Sequence, residues 1–215
     1  DWARTVLRMV MYLAGVVILA LGMVVQTESG LGVASLTCFA QVIADILGTS
    51  LGSMITATYC AYIVAQALIL RRQFQPRILL EVFFSAVIGI FTDFFMAVMP
   101  IHPEGLPAQV ATMVFSLVLI SFGVSLVVNM GVVPNAPDGL VQVISEKLRR
   151  RFGDVKVVFD TSHVVVALVL SWTVLHTIDA FGVTTVIAAL FLGKFINVMN
   201  RLFAAKFQQA AFGSD

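Results

Sequence analysis

The sequence predicts an all-α polytopic membrane protein: six transmembrane helices arranged as two inverted three-helix repeats. Three observations predict it. Hydrophobic residues make up 60% of the 215 and charged residues 12%, with a mean hydropathy of +1.00, whereas a soluble domain is about half apolar and roughly a quarter charged. Six apolar runs are long enough to cross a bilayer, which takes about 20 residues. The runs also form two sets of three related by a shift of 101 positions (123 − 22). Gly22 matches Gly123, Gly30 matches Gly131, Leu47 matches Leu148 and Gly52 matches Gly153. Gln41-Val42-Ile43 recurs as Gln142-Val143-Ile144, and acidic Asp45 falls opposite Glu146.

The first repeat covers residues 1–104, with spans at 7–26, 51–70 and 78–98. Its first run reads as a span rather than a cleavable signal peptide, because it is long and lacks a small-residue cleavage site. After the turn Thr27 to Gly32 comes an apolar helix over 35–47, too short to span untilted and therefore interfacial or re-entrant. The second repeat covers residues 105–215, with spans at 110–129, 157–176 and 183–203 and a short helix over 136–150. The stretch from Gly131 to Ile144 organises it. Asn135 suits an N-cap, Pro137 suits a first helical turn, and Asp138 places negative charge near a helix N-terminus.

The charges set the orientation. With the N-terminus inside, Arg4, Arg8, the Arg71/Arg72/Arg77 cluster, the basic run Lys147 to Lys156, Arg201 and Lys206 all fall on the cytoplasmic side, as short basic loops do. The outer turns carry Glu28, Asp45, His102, Glu104, His176 and Asp179, with no Lys or Arg. Both termini are then cytoplasmic, in the cell membrane. Three crossings per repeat is odd, so the copies insert upside down relative to each other, as in many carriers. A second match supports the duplication: Gly89 to Asp93 (GIFTD) and Gly193 to Asn197 (GKFIN) are 104 apart (193 − 89). The net charge of +1 points to no nucleic-acid partner.

These residues resemble the YczE/YyaS/YitT-like group of bacterial integral membrane proteins, and the YczE type most closely. The resemblance rests on Gly123, Gly131, Pro137-Asp138-Gly139 and Gly193 to Asn197 in the second half. In the first half Gly22, Gly30, Gly32 and Gly89 to Asp93 carry it. It covers nearly the whole chain and implies the duplicated fold. Where that group has a Pro-Trp-Asp-like turn, the first half has Val33-Ala-Ser-Leu-Thr37 instead.

Polar residues inside spans are the candidate site, since each is costly in hydrocarbon. Lys194 lies mid-span opposite apolar Ile90; it either pairs with Asp93 or Asp160, holds an anionic substrate group, or snorkels to the inner face. Asn197 and Arg201 share its helix face. Asp93 reads as a packing or interfacial residue before a proton carrier. Asn135 and Asp138 either hold substrate or cap a helix. A carboxylate there favours a cationic or polar ligand, while Ser35 and Thr37 leave the first short helix open to an anion. Gln41 and Gln142 suit ligand contact or interhelical bonding. Asp160, Ser162 and His163 cluster at the start of the fifth span, with a structural or proton-relay role for the histidine.

The chain has no GxxxxGK[ST], HExxH, GxSxG or CxxC pattern and no cluster of His and Cys ligands, so neither an enzyme nor a cofactor or metal is expected. Cys38 and Cys60 read as free thiols ahead of the alternative, a disulfide. The leading reading is a secondary-type carrier of a small polar molecule with its site between the repeats. One alternative is a substrate-binding subunit similar to the vitamin-capturing components of energy-coupling-factor transporters, which would bring an ATPase partner. Those carry an Ala-x-x-x-Ala pattern where this chain has Ala14, Gly15 and Ala20. Another is a non-transporting lipid-binding or scaffold protein. Expected partners are a small-molecule or lipid ligand, membrane lipid, and a homo-oligomer or partner subunit.

Overall fold

The computed structural model describes residues 2–73, 75–177 and 180–212. The described residues form eight α-helices: α1 (Trp2–Glu28), α2 (Ser35–Leu47), α3 (Leu51–Leu70), α4 (Leu79–Val98), α5 (Leu106–Met130), α6 (Ala136–Leu148), α7 (Phe152–Leu170) and α8 (Val183–Phe212). Six of them, all but α2 and α6, are long and apolar enough to cross a membrane. The chain is thus an all-α, multi-pass membrane protein. Helices α2 and α3 end where the sequence places them; the others differ at their ends. The basic run does not stay in a loop, because α7 begins at Phe152 and takes Lys156 into its second turn. The tail with Lys206 is not a separate polar segment, since α8 continues to Phe212. The second short helix stops at Leu148, where Arg149 turns left-handed at φ 52°. One turn of π-helix, Ser171–Leu175, closes α7. Asp179, expected in the following turn, lies outside the described residues.

The core is the crossing of α1 and α5, the two most enclosed spans. Arg8 Nη2 donates to Met130 O at 2.9 Å at one end, and a Cβ on Gly30 would meet Gln109 at the other. Early α1 therefore meets late α5, and the helices run antiparallel. Their contact is reciprocal. A Cβ on Gly22 would lie 2.8 Å from the Ile120 nitrogen, and one on Gly123 would lie 2.8 Å from the Leu19 nitrogen. Gly22 and Gly123 are the matched pair of the sequence, and Leu19 and Ile120 differ by the same shift of 101 (120 − 19). In lipid, such close backbone approach supplies the dispersion contact that water does not drive.

Around this axis the halves exchange elements. Helix α2 packs on α7, and α6 packs on α3; α4 lies against α1, and α8 against α5. Tyr62 of α3 and His163 of α7, 101 positions apart, hydrogen-bond each other at 2.7 Å. Both turns that lead into the short helices need a left-handed residue, supplied by Gly30 at φ 69° and Gly131 at φ 59°. The clearest difference lies between two matched pairs: helices α3 and α4 pack intimately, whereas among the described residues α7 and α8 make no comparable contact.

Filling the α1–α5 contact forces the helices apart. Gly22→Ala should destabilise the protein by about 1–3 kcal/mol despite the better helix propensity of alanine. Gly153→Ala, with nothing within 4 Å of its Cβ, should leave stability unchanged or slightly raised. Thermal melts of both variants in detergent test the pair.

Candidate functional site

Helix α6 begins against α3 and α4, and a group of polar residues gathers there. The chain leaves α5 through Gly131, and Val133 O accepts a 3.2 Å hydrogen bond from Tyr12 Oη of α1. Asn135 has the extended backbone of an N-cap, φ −65° and ψ 139°, and Pro137 fills the first turn, yet the Asn135 side chain makes no capping bond. It faces the Tyr59 hydroxyl instead. Gly139 then brings the α6 backbone onto two buried side chains: a Cβ there would lie 3.1 Å from the Gln66 amide and from Glu81 Oε1.

Gln66 and Glu81 were missed as site candidates from sequence. Each lies inside a long apolar run, and that was the available signal: Glu81 is the first charge after Arg77 in the third span. Glu81 is 2% exposed and Gln66 1%. Gln66 Nε2 donates to Glu81 Oε2 at 2.8 Å and to Ala136 O at 3.2 Å, so one amide links α3, α4 and α6. Among the described residues no cation lies within ion-pair distance of Glu81, and its Oε1 accepts no hydrogen bond. Glu81 faces two spaces. A small one is lined by Tyr12, Phe84 and Asn135. A cleft of about 350 Å³ is lined by Gln66, Arg77, Gly139, Gln142 and Glu146.

Beside it, Lys156 of α7 sits between two carboxylates, 2.9 Å from Asp138 and 3.3 Å from Asp160. This group joins α6 to α7. His163 Nδ1 lies 2.7 Å from Phe159 O, which can only accept, so the ring carries its proton there. Nε2 is then the acceptor for the Tyr62 hydroxyl. Ser162 Oγ returns to Phe159 O at 2.7 Å.

The structure therefore brings together Asn135, Asp138 and Gln142, whose Nε2 donates to Glu146 Oε1 at 3.0 Å. The other expected residues lie elsewhere. Asp93 accepts from Gly52 N at 2.8 Å and Ser50 Oγ at 2.7 Å, fastening the end of α4 to the start of α3. Lys194 is exposed and stands 4.8 Å from the centre of the Phe191 ring; neither Asp93 nor Asp160 reaches it. Asn197 is exposed on the same helix. Thr37 is buried in α2, and Gln41 carries a buried Oε1 without a hydrogen-bond partner.

The corresponding place in the other half holds no charged residue. By the same shifts, Tyr12, Gln66, Glu81 and Gly139 correspond to Met113, Ala167, Thr185 and Cys38. Cys38 packs with Ala167, and its Sγ donates to Ala180 O at 3.6 Å. Both cysteines are free thiols. Burial pushes the Cys38 thiol up to about 12.

Fold and site define a polytopic α-helical membrane protein with a carboxylate–amide pocket buried among its first, third, fourth and sixth helices. The chain belongs to a family of unknown function, DUF6198, whose model matches residues 6–201. No curated protein and no solved structure matches it.

Gln66→Leu leaves Glu81 buried without its donor and should destabilise the protein by about 1–3 kcal/mol. The double variant Gln66→Leu/Glu81→Leu should recover most of that loss; a double-mutant cycle of thermal melts reads the coupling. Cys38 stays protonated at neutral pH, so alkylation followed by mass spectrometry should label half-buried Cys60 well before Cys38. As pH rises from the ordinary thiol range toward 12, the unfolded thiol ionises first, and stability falls across that window.

Proposed function

We propose that the protein is a secondary-type carrier of a small polar molecule, built from two inverted repeats, 1–104 and 105–215, with its site where α6 meets α3 and α4. Reciprocal packing supports the repeats: α1 crosses α5 antiparallel, and each short helix packs on the other half. The same plan is what the resemblance to the YczE type implies. The positive loops favour an orientation with both termini in the cytoplasm.

The observation that carries the reading is the unequal state of two matched helix pairs. In the first half Gly52 rests on Gly89, so close that a Cβ would collide with Gly89 O, and Asp93 bonds the Gly52 nitrogen. In the second half the matched Gly153 and Gly193 have nothing within 4 Å of a Cβ, and Asn197, the match of Asp93, is exposed. One repeat is closed and the other open. A carrier needs the converse state as well, with Gly153 against Gly193 and Asn197 at the start of α7, because alternating access exchanges the conformations of its repeats.

A cysteine pair tests this. In a background with Cys38→Ala and Cys60→Ser, the variant Gly153→Cys/Gly193→Cys should form a disulfide under mild oxidation in membranes. A disulfide needs Cα atoms within about 7 Å, which only the closed second half supplies. No cross-link under conditions that oxidise a control pair across α3 and α4 would leave a fixed assembly and remove the carrier reading. The broad apolar faces that α7 and α8 expose favour a second reading, a lipid-binding scaffold. Lipid retained through purification by an assembly that does not cross-link would select it.

A further inference from the structure

Glu81 poses a physical problem that its neighbours do not solve. An ionised carboxylate this deeply buried is strongly disfavoured unless a positive charge or several donors compensate it. It receives one hydrogen bond, from the neutral Gln66. The titratable and charged groups facing it can be named element by element. From α1 there is Tyr12, whose hydroxyl is given to Val133 O. From α6 there is Glu146, across the cleft and of the same sign. From the turn before α4 there is Arg77, exposed, with its Nη2 given to Val132 O at 2.7 Å. Helix α3 offers only Gln66. The charge that balances Glu81 therefore comes from outside the fold, as a proton or as a bound cation.

We infer that the cleft between α3, α4 and α6 takes a protonated organic amine, with Glu81 as its counter-ion, and that the amine enters in exchange for a proton. The inference rests on the site of the proposed carrier and names its substrate class. Three features favour an amine over other ligands. The walls carry two carboxylates, Glu81 and Glu146, against one exposed arginine, which disfavours an anion. Gln66, Gln73, Gln75 and Gln142 supply carbonyl oxygens that accept N–H bonds. At about 350 Å³ the space far exceeds a bare metal ion and suits a small organic molecule. With no Cβ, Gly139 leaves the Glu81 carboxyl uncovered on its α6 side, where a Cβ would fall 3.1 Å from Oε1.

The exchange balances. The neutral acid releases its proton to water as the ammonium group arrives, and the carboxylate and ammonium form an ion pair. One proton leaves for each cation bound, and the charge of the site is unchanged. Departure of the amine reverses both steps.

Calorimetry of the purified protein with n-butylammonium chloride, in two buffers of different ionisation enthalpy at one pH, counts that proton. The expected result is binding with close to one proton released, no binding of butyrate, and at least tenfold weaker binding of tetramethylammonium, which lacks N–H. Glu81→Gln keeps the shape and should lose proton release together with at least tenfold in affinity. Glu81→Asp should bind more weakly and still release the proton, which separates a titrating role from a packing one. Heats in wild type that do not depend on the buffer, butyrate bound as well as butylammonium, or no binding of either, each overturn the inference. The cross-linking of Gly153→Cys/Gly193→Cys is read without any ligand. A pair that cross-links in a protein that ignores amines keeps the carrier and removes the amine; amine binding in a protein that never cross-links does the reverse.

Discussion

The antiparallel contact of α1 with α5 is the constraint on which the remaining structure depends. Lipid tails are as apolar as leucine, so two helices in a bilayer gain little from hiding side chains from water. They gain from approaching closely, and Gly15, Gly22 and Gly123 permit that approach against Val127, Ile120 and Leu19. With the axis fixed, α4 and α8 have flanks to lie on, and the turns at Gly30 and Gly131 emerge at opposite ends of the crossing. Each short helix is then nearer to the other half's middle span than to any other free surface. The exchanged pairings of α2 with α7 and α6 with α3 follow from that placement.

The sequence matches between the two halves pair two places in the fold, and only one of them holds a carboxylate. Tyr12, Gln66, Glu81 and Gly139 surround the start of α6, while Met113, Ala167, Thr185 and Cys38 fill the matching place by α2. The place with the carboxylate needs a glycine because the Gln66 and Glu81 side chains reach the α6 backbone; the other accepts a thiol against Ala167. Similar packing around unlike chemistry leaves a buried carboxylate at only one of the two places. The lone histidine of the interior lies between the halves, bonded to its own repeat partner Tyr62.

Much of the fold was legible in the sequence, and less of the site. Helices α2 and α3 begin and end where apolar patterning and the flanking Gly48 and Ser50 put them. The match of Gly30 with Gly131 located both turns, whereas the crossing of α1 and α5 at Gly22 and Gly123 emerges only from the structure. Length and hydropathy fix such features locally. Partners of single polar residues depend on which helix face meets which neighbour, and a run like LLEVFFSAVIGIF does not say which way its glutamate points. Rarity made Lys194 conspicuous, yet it stands exposed against Phe191. Glu81 and Gln66 were equally rare and were passed over beside a basic cluster. Asp138 sat in the right neighbourhood, but its partner Lys156 was hidden in what read as a loop.

The exchange of short helices has a consequence for how the chain is made. Cys38 of α2 finds its backbone partner at Ala180, 142 positions later, and Val33 N bonds the same carbonyl. When the first three spans have left the ribosome and entered the bilayer, α2 has no α7 to cover it, and α3 has no α6. The first half must wait, inserted but unfinished, for most of the remaining chain to be synthesised. Contacts so distant in sequence form late and slowly. Until then the polar face of α3 around Gln66 meets lipid or a chaperone, which makes biogenesis the stage at which this protein is most open to quality control.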